Sequence, residues 1–144
     1  VILRYFNTYG PRQAFTPYVG VITIFVNRLL NGKSPIIFGN GNQIRDFVHV
    51  SDIANSNILA MRKNITGEIF NIGTGKGTTV NEIATILKNK INPKIKLKYG
   101  SERKGELRCS VADIFKARKL LGYTPKWQIN QKIDEIIEMN KLSS

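Results

Sequence analysis

At 144 residues and 42% hydrophobic, the chain has the size of one domain and enough apolar content to bury a core. Its longest apolar stretch, residues 19–26, is broken by Gly20 and Thr23 and falls well short of the roughly 20 residues that a membrane-spanning helix needs. The 22 Lys plus Arg against 10 Asp plus Glu give +12, a field that attracts nucleic acid, membrane surfaces or phosphorylated small molecules, while one cysteine and one histidine exclude an internal disulfide and a zinc site of about four N or S ligands.

In chain order, residues 1–6 form an apolar and aromatic run that ends at Asn7 and is closed by Gly10 and Pro11, the pattern of a buried strand stopped by turn residues. Residues 13–18 read as a loop. From 19 to 30 the apolar residues Val19, Ile22, Val26, Leu29 and Leu30 recur at the helical period, and Gly32 ends the helix. Residues 34–38 predict a short strand, 39–41 a tight turn and 47–50 another strand. Ser51 or Asp52 is placed to cap a helix to about Met61, with Ile53, Ala54, Asn57, Ala60 and Met61 carrying the period.

Residues 68–72 predict a strand that stops in a Gly-rich run, 73–77. Thr79 followed by Glu82 spells a capping box, opening a helix with Ile83, Ile86 and Leu87 on one face. Residues 95–99 alternate as a half-exposed strand. Asp113 caps a helix carrying Phe115, Ala117, Leu120 and Leu121 up to Gly122, and a last helix spans about 129–139 with Ile133, Ile136 and Ile137 inward. This mixture predicts an α/β class, with a strand or two supplied to a parallel sheet and a small lobe otherwise. The strand-like start, without initiator Met, basic leader or cleavage site, leads us to expect further sequence upstream and no secretory signal; with a single Cys109, read as a buried small hydrophobe, the reducing cytoplasm is the expected compartment.

Four segments together are specific: Leu3-Arg4-Tyr5-Phe6-Asn7-Thr8-Tyr9-Gly10-Pro11-Arg12; Ile37-Phe38-Gly39-Asn40-Gly41 running into Ile44-Arg45-Asp46-Phe47-Val48-His49-Val50 and Asp52; Phe70-Asn71-Ile72-Gly73; and Leu120-Leu121-Gly122-Tyr123-Thr124-Pro125. In this order and spacing the chain resembles the C-terminal half of the extended short-chain dehydrogenase/reductase (SDR) family, the nucleotide-sugar epimerases, dehydratases and decarboxylases. Within it, the chain is most similar to the UDP-glucose 4-epimerases and their relatives acting on UDP-N-acetylhexosamines. The resemblance implies the substrate-binding lobe of a Rossmann-type enzyme as one unit over residues 1–144, with 1–10 a strand of the parent sheet. It also implies a cytoplasmic enzyme of galactose and nucleotide-sugar metabolism, homodimeric at full length.

The family's dinucleotide turn and its Tyr-x-x-x-Lys pair are not in this sequence. The run 73–78 would need Gly at 78 for a dinucleotide fingerprint and Ser or Thr directly after Lys76 for a P-loop, and is read as a turn into the capped helix. Tyr5, Tyr9, Tyr18, Tyr99 and Tyr123 are followed four residues on by Tyr, Gln, Ile, Arg and Trp, never Lys. No catalytic residue is therefore assigned, and the chain alone is expected to be inactive, with NAD bound mainly by upstream sequence.

Recognition of the nucleotide remains, and it calls for fixed cations, helix N-terminal amides and a slot for a planar base. The resemblance implies that Arg45 contacts the diphosphate, its guanidinium held by Asp46; that Arg103 reads phosphate while Glu106, where the family more often has Asp, accepts from a ribose hydroxyl; and that Asn7 bonds the diphosphate. It further places Tyr5 and Phe6 against the nicotinamide and sugar, the amides of Gly20 and Val21 near phosphate, Ile36 and Phe38 along the uracil edge, and Ser110 near the sugar C2 substituent. His49 is read as a hydrogen-bonded structural residue. Dehydration or decarboxylation of a nucleotide sugar is the alternative within the family. The Lys-rich stretch 88–108 leaves a nucleic-acid-binding module as a remote alternative, disfavoured because Tyr99 is its single aromatic.

Overall fold

The computed structural model describes residues 1–13, 16 and 20–142; the part of the expected loop and helix start that includes Tyr18 and Val19 lies outside the described residues. Among the described residues, nine strands and four α-helices follow one another as β1 (Ile2–Tyr5), β2 (Asn7–Tyr9), α1 (Val21–Leu30), β3 (Ile36–Phe38), β4 (Ile44–Arg45), β5 (Phe47–His49), α2 (Val50–Arg62), β6 (Ile69–Ile72), β7 (Thr78–Thr79), α3 (Val80–Ile91), β8 (Lys98–Gly100), β9 (Cys109–Ser110) and α4 (Ile129–Leu142), with a π-helical turn at Ala117–Leu121. None of the described helices is long and apolar enough to cross a membrane.

The run expected as one strand is two, because the chain changes neighbours. β1 lies parallel to β6, and Phe6 N–H still bonds Ile72 O, but Asn7 N–H turns to Asp46 O and β2 continues parallel to β5. β3 pairs in parallel with β8, and β4 sits between β7, antiparallel, and β9, parallel.

Two apolar cores result, with β5 between them. Ile22, Phe25, Val26 and Leu29 of α1, Ile83 and Leu87 of α3, and Ile133, Ile136 and Ile137 of α4 meet around Phe47. Val48, one residue on and therefore on the opposite face, joins Phe70, Ile72, Ile53, Leu121 and Tyr123. The last helix thus turns its isoleucines inward as its period predicts.

Capping follows chemistry that spacing alone misreads at one helix. α3 carries the expected box, with Thr79 accepting from Glu82 N–H and Glu82 accepting from Thr79 N–H. α2, however, is capped by His49, whose Nδ1 accepts from Ser51 N–H and contacts the Ser51 hydroxyl at 2.7 Å. Asp52 is buried and spends its carboxylate on the backbone N–H groups of Lys126 and Trp127, fixing the approach to α4. The inward face of α2 is Ile53, Ser56 and Ala60, while Met61 is 86% exposed. Asp113 caps Phe115 N–H as expected, yet the turn beyond it is π-helical, ends at Gly122 with φ 73°, and buries Ala117 and Leu121 while Phe115 and Leu120 face solvent.

The Gly-rich run 73–77 wraps a carboxylate. Asp46, fully buried, accepts from Thr74 N–H at 2.8 Å, Thr74 Oγ1 at 2.6 Å, Gly75 N–H at 2.9 Å and Ala112 N–H at 3.2 Å. Removing it orphans buried donors at about 1–3 kcal/mol each. Asp46→Ala is therefore expected to lower the unfolding free energy by about 3 kcal/mol or more in urea titrations followed by circular dichroism.

β1 has a neighbour on one edge alone among the described residues, and Val1, Ile2 and Ile69 beside it are exposed. Open, apolar strand edges pair with other chains, so the chain is expected to self-associate at high concentration; a monomeric sedimentation profile there would contradict this.

Candidate functional site

A cavity of about 330 Å³ opens between α1, β3 and β4. One wall is the α1 stripe Val21, Ile24, Phe25 and Arg28, which are neighbours at the 3.6-residue repeat; another is Ile36 to Phe38 of β3. Asn7, Gln43, Arg45, Val80, Arg103 and Glu106 complete it. Of the residues singled out in the sequence, Asn7, Val21, Ile36, Phe38, Arg45, Arg103 and Glu106 converge here from segments up to a hundred residues apart.

Arg45 points into the cavity because Asp46 does not. Successive residues of extended chain face opposite sides, and Asp46 is turned inward to the 73–77 turn. The expectation that Asp46 orients the Arg45 guanidinium is corrected accordingly: Arg45 Nη1 donates to Ile44 O at 2.8 Å, and Nη2 meets Glu106 Oε1 at 3.4 Å, with both side chains partly buried. Gln43 Nε2 donates to Phe38 O at 3.0 Å and approaches the same Glu106 oxygen at 3.4 Å. Arg103 lies over the Phe38 ring, its Cζ 4.0 Å from the centroid, a cation–π contact. Phe38 therefore serves as a platform at the cavity, outside both core clusters.

The remaining expected residues lie elsewhere. Gly20 is the N-cap of α1, without a side-chain cap on the helix's first N–H groups, and a Cβ there would meet the Gln13 amide at an ordinary 3.5 Å, so the fold itself does not demand glycine. Ser110 pairs in register with Arg45 from β9 without lining the cavity. Tyr5, 48% exposed, donates its hydroxyl to Asn57 Oδ1 at 2.9 Å, and Phe6 packs against the second core. Cys109, expected to be buried, is exposed, because its two-residue strand turns it outward.

Burial, stronger than the pull of the Glu135 carboxylate, holds His49 below the usual imidazole range, so its 3.4 Å approach to Glu135 is a contact of a neutral ring. Tyr9 and Tyr123 are pushed well above the usual phenol range by burial and then by the Asp52 charge; Tyr123 donates to Gly73 O at 2.9 Å. These groups hold the fold and stand apart from the cavity.

The motifs do not single out Arg28, Gln43 or Val80. The stripe at 21, 24, 25 and 28 is the signal that could find the first of them, obscured because core positions 22, 25, 26 and 29 give the same helix an overlapping period.

The model of the NAD dependent epimerase/dehydratase family matches residues 1–73. Among solved structures, the UDP-glucose 4-epimerase of Thermotoga maritima with UDP-glucose superposes at a TM-score of 0.92 and 41% identity, over 98% of this chain and 45% of that one. The UDP-N-acetylglucosamine 4-epimerase of Methanobrevibacter ruminantium with UDP-N-acetylmuramic acid gives 0.91 and 35%, over 99% and 46%. A dTDP-glucose 4,6-dehydratase of an Actinoplanes strain is 35% identical over 95% of this chain and 42% of its own length. The chain thus spans under half of the length of these relatives.

Proposed function

Because the chain belongs to the NAD dependent epimerase/dehydratase family, of the extended SDR architecture, we propose that it holds the nucleotide-diphosphate part of a UDP-sugar, as the C-terminal half of a UDP-glucose or UDP-N-acetylglucosamine 4-epimerase. The observation that carries this reading is the convergence of Arg45, Arg103, Asn7 and Glu106 on one cavity whose other lining, apart from Arg28 and Gln43, is apolar. Two guanidinium groups suit a diphosphate, the Glu106 carboxylate can accept from a ribose hydroxyl, and the walls of Val21, Ile24, Ile36 and Val80 suit a planar base.

In this reading the diphosphate displaces Glu106 as the partner of Arg45 Nη2. That exchange frees the carboxylate for the ribose while the cation keeps its anchor on Ile44 O. The sugar is left unclamped by these residues, which permits the rotation an epimerase needs between hydride removal and return. Ser110, Tyr5 and Phe6 lie outside the cavity, so in the proposed enzyme they would border the sugar or the cofactor rather than the nucleotide, while the amides of Gly20 and Val21, at the start of α1 where Val21 lines the cavity, would meet phosphate; the exposed ring of Tyr5 at the carboxyl end of β1 offers a flat face of the kind a nicotinamide could meet. NAD, when bound, supplies the hydride acceptor; this chain's part is to fix the substrate. The dehydratases of the family provide the second reading, and the dTDP-glucose dehydratase relative favours keeping it.

Calorimetric titration with UDP, and with UMP and ADP as controls, tests the site. UDP is expected to bind best, UMP more weakly for want of a phosphate, and Arg45→Ala or Arg103→Ala each to weaken UDP by roughly tenfold or more, the worth of a charge-assisted hydrogen bond. Equal affinity for ADP and UDP, or indifference to both substitutions, would count against the assignment.

A further inference from the structure

Arg28 lines the cavity without any assigned role. It is partly buried, its Nε donates to Ser34 O at 2.7 Å, and among the described residues it forms no ion pair, nor do its two terminal nitrogens have a hydrogen-bond acceptor. Its place in the cavity is defined by β3. Ser34, to which Arg28 is tied, precedes the strand; Phe38, which carries Arg103 and whose carbonyl holds Gln43 beside Glu106 and Arg45, ends it. The two stand four positions apart, at most about 13 Å along the chain. The cavity lining therefore gathers two cations and a carboxylate about Phe38, while Arg28, tethered at Ser34, shares the α1 and β3 walls with the apolar Ile24, Phe25 and Ile36.

Resting on the reading above, in which the diphosphate takes the two cations gathered about Phe38, we propose that Arg28 discriminates the base: it donates to the exocyclic carbonyl of a 4-keto pyrimidine and thereby rejects cytosine. A guanidinium donates and never accepts. Uracil and thymine present a carbonyl oxygen at position 4, whereas cytosine presents an amino group, which would leave donor facing donor in a partly desolvated slot. Sites built to bond one polar group reject analogues that leave it unpaired. The bond to Ser34 O limits the guanidinium's freedom before ligand arrives, so little ordering remains to be done on binding.

UDP and CDP, which share sugar and phosphates and differ in the base alone, read this directly in calorimetric titrations of the chain. The unsubstituted chain is expected to prefer UDP by roughly tenfold or more. Arg28→Met, which keeps the apolar stem and removes the donors, should weaken UDP and leave CDP unchanged, so that the preference collapses; Arg28→Lys, which keeps a charge but loses the planar fork and its tether, should reduce it. Arg45→Ala is the control, lowering both affinities by a common factor and preserving their ratio. A UDP to CDP ratio unaltered in both Arg28 variants overturns the proposal while leaving the nucleotide site standing. No binding of either nucleotide by the unsubstituted chain overturns the underlying site as well.

Discussion

The Asp46 carboxylate is the constraint on which the rest of the molecule hangs. It draws three backbone N–H groups and one hydroxyl to itself from the 73–77 turn and from Ala112, so the turn joining β6 to β7 and the segment after β9 converge on one residue. Its own backbone extends the knot, since its carbonyl accepts from Asn7 N–H and its N–H donates to Ser110 O. A buried carboxylate is tolerable only when its lone pairs are met, and meeting them here brings the 73–77 turn and the segment at Ala112 to the strand that carries Asp46. The site inherits that order: with Asp46 committed inward, strand alternation leaves Arg45 no direction but the cavity.

The Gly-rich turn illustrates how far local sequence chemistry can be trusted. Short glycine-rich turns that present successive N–H groups make concave anion-binding surfaces, and 73–78 has the composition of one. The anion it binds is the protein's own. The glycines are shaped to that occupant, since a Cβ at Gly73 would strike the Asp46 carboxylate at 2.5 Å and Ala112 at 2.6 Å, and Gly75 has φ 74°. By composition, a phosphate-binding loop and a carboxylate-binding turn are the same object, and only the identity of the anion separates them.

Legibility follows range. The helices α1, α3 and α4, the Thr79 box and the Gly122 stop are readable because their signals lie within a few residues. The partner switch at Phe6 and Asn7 is not, because nothing in an apolar run of six says that its continuation will meet β5 instead of β6. Asp52 reads as a cap for the same reason: its true partners, Lys126 and Trp127, are more than seventy residues away. Of the candidate site, Asn7, Arg45, Arg103 and Glu106 stand in motifs and meet in one cavity, whereas Arg28 and Gln43 lie in it by geometry alone, one at the end of a helix whose core face masks its cavity face and the other in a turn.

The two cations gathered about Phe38 are held in different ways, and their freedoms differ. Arg45 is bonded at both terminal nitrogens, to its neighbour's carbonyl and to Glu106, which fixes both position and direction. Arg103 rests on the face of Phe38, and an aromatic face sets the height of a cation above it but not its bearing, so the guanidinium has no directional anchor even though Glu106, three residues on, ties the same loop to Arg45. The molecule thus pairs a cation held along fixed bonds with one held only against a flat face, and a ligand between them would meet one set direction and one open one.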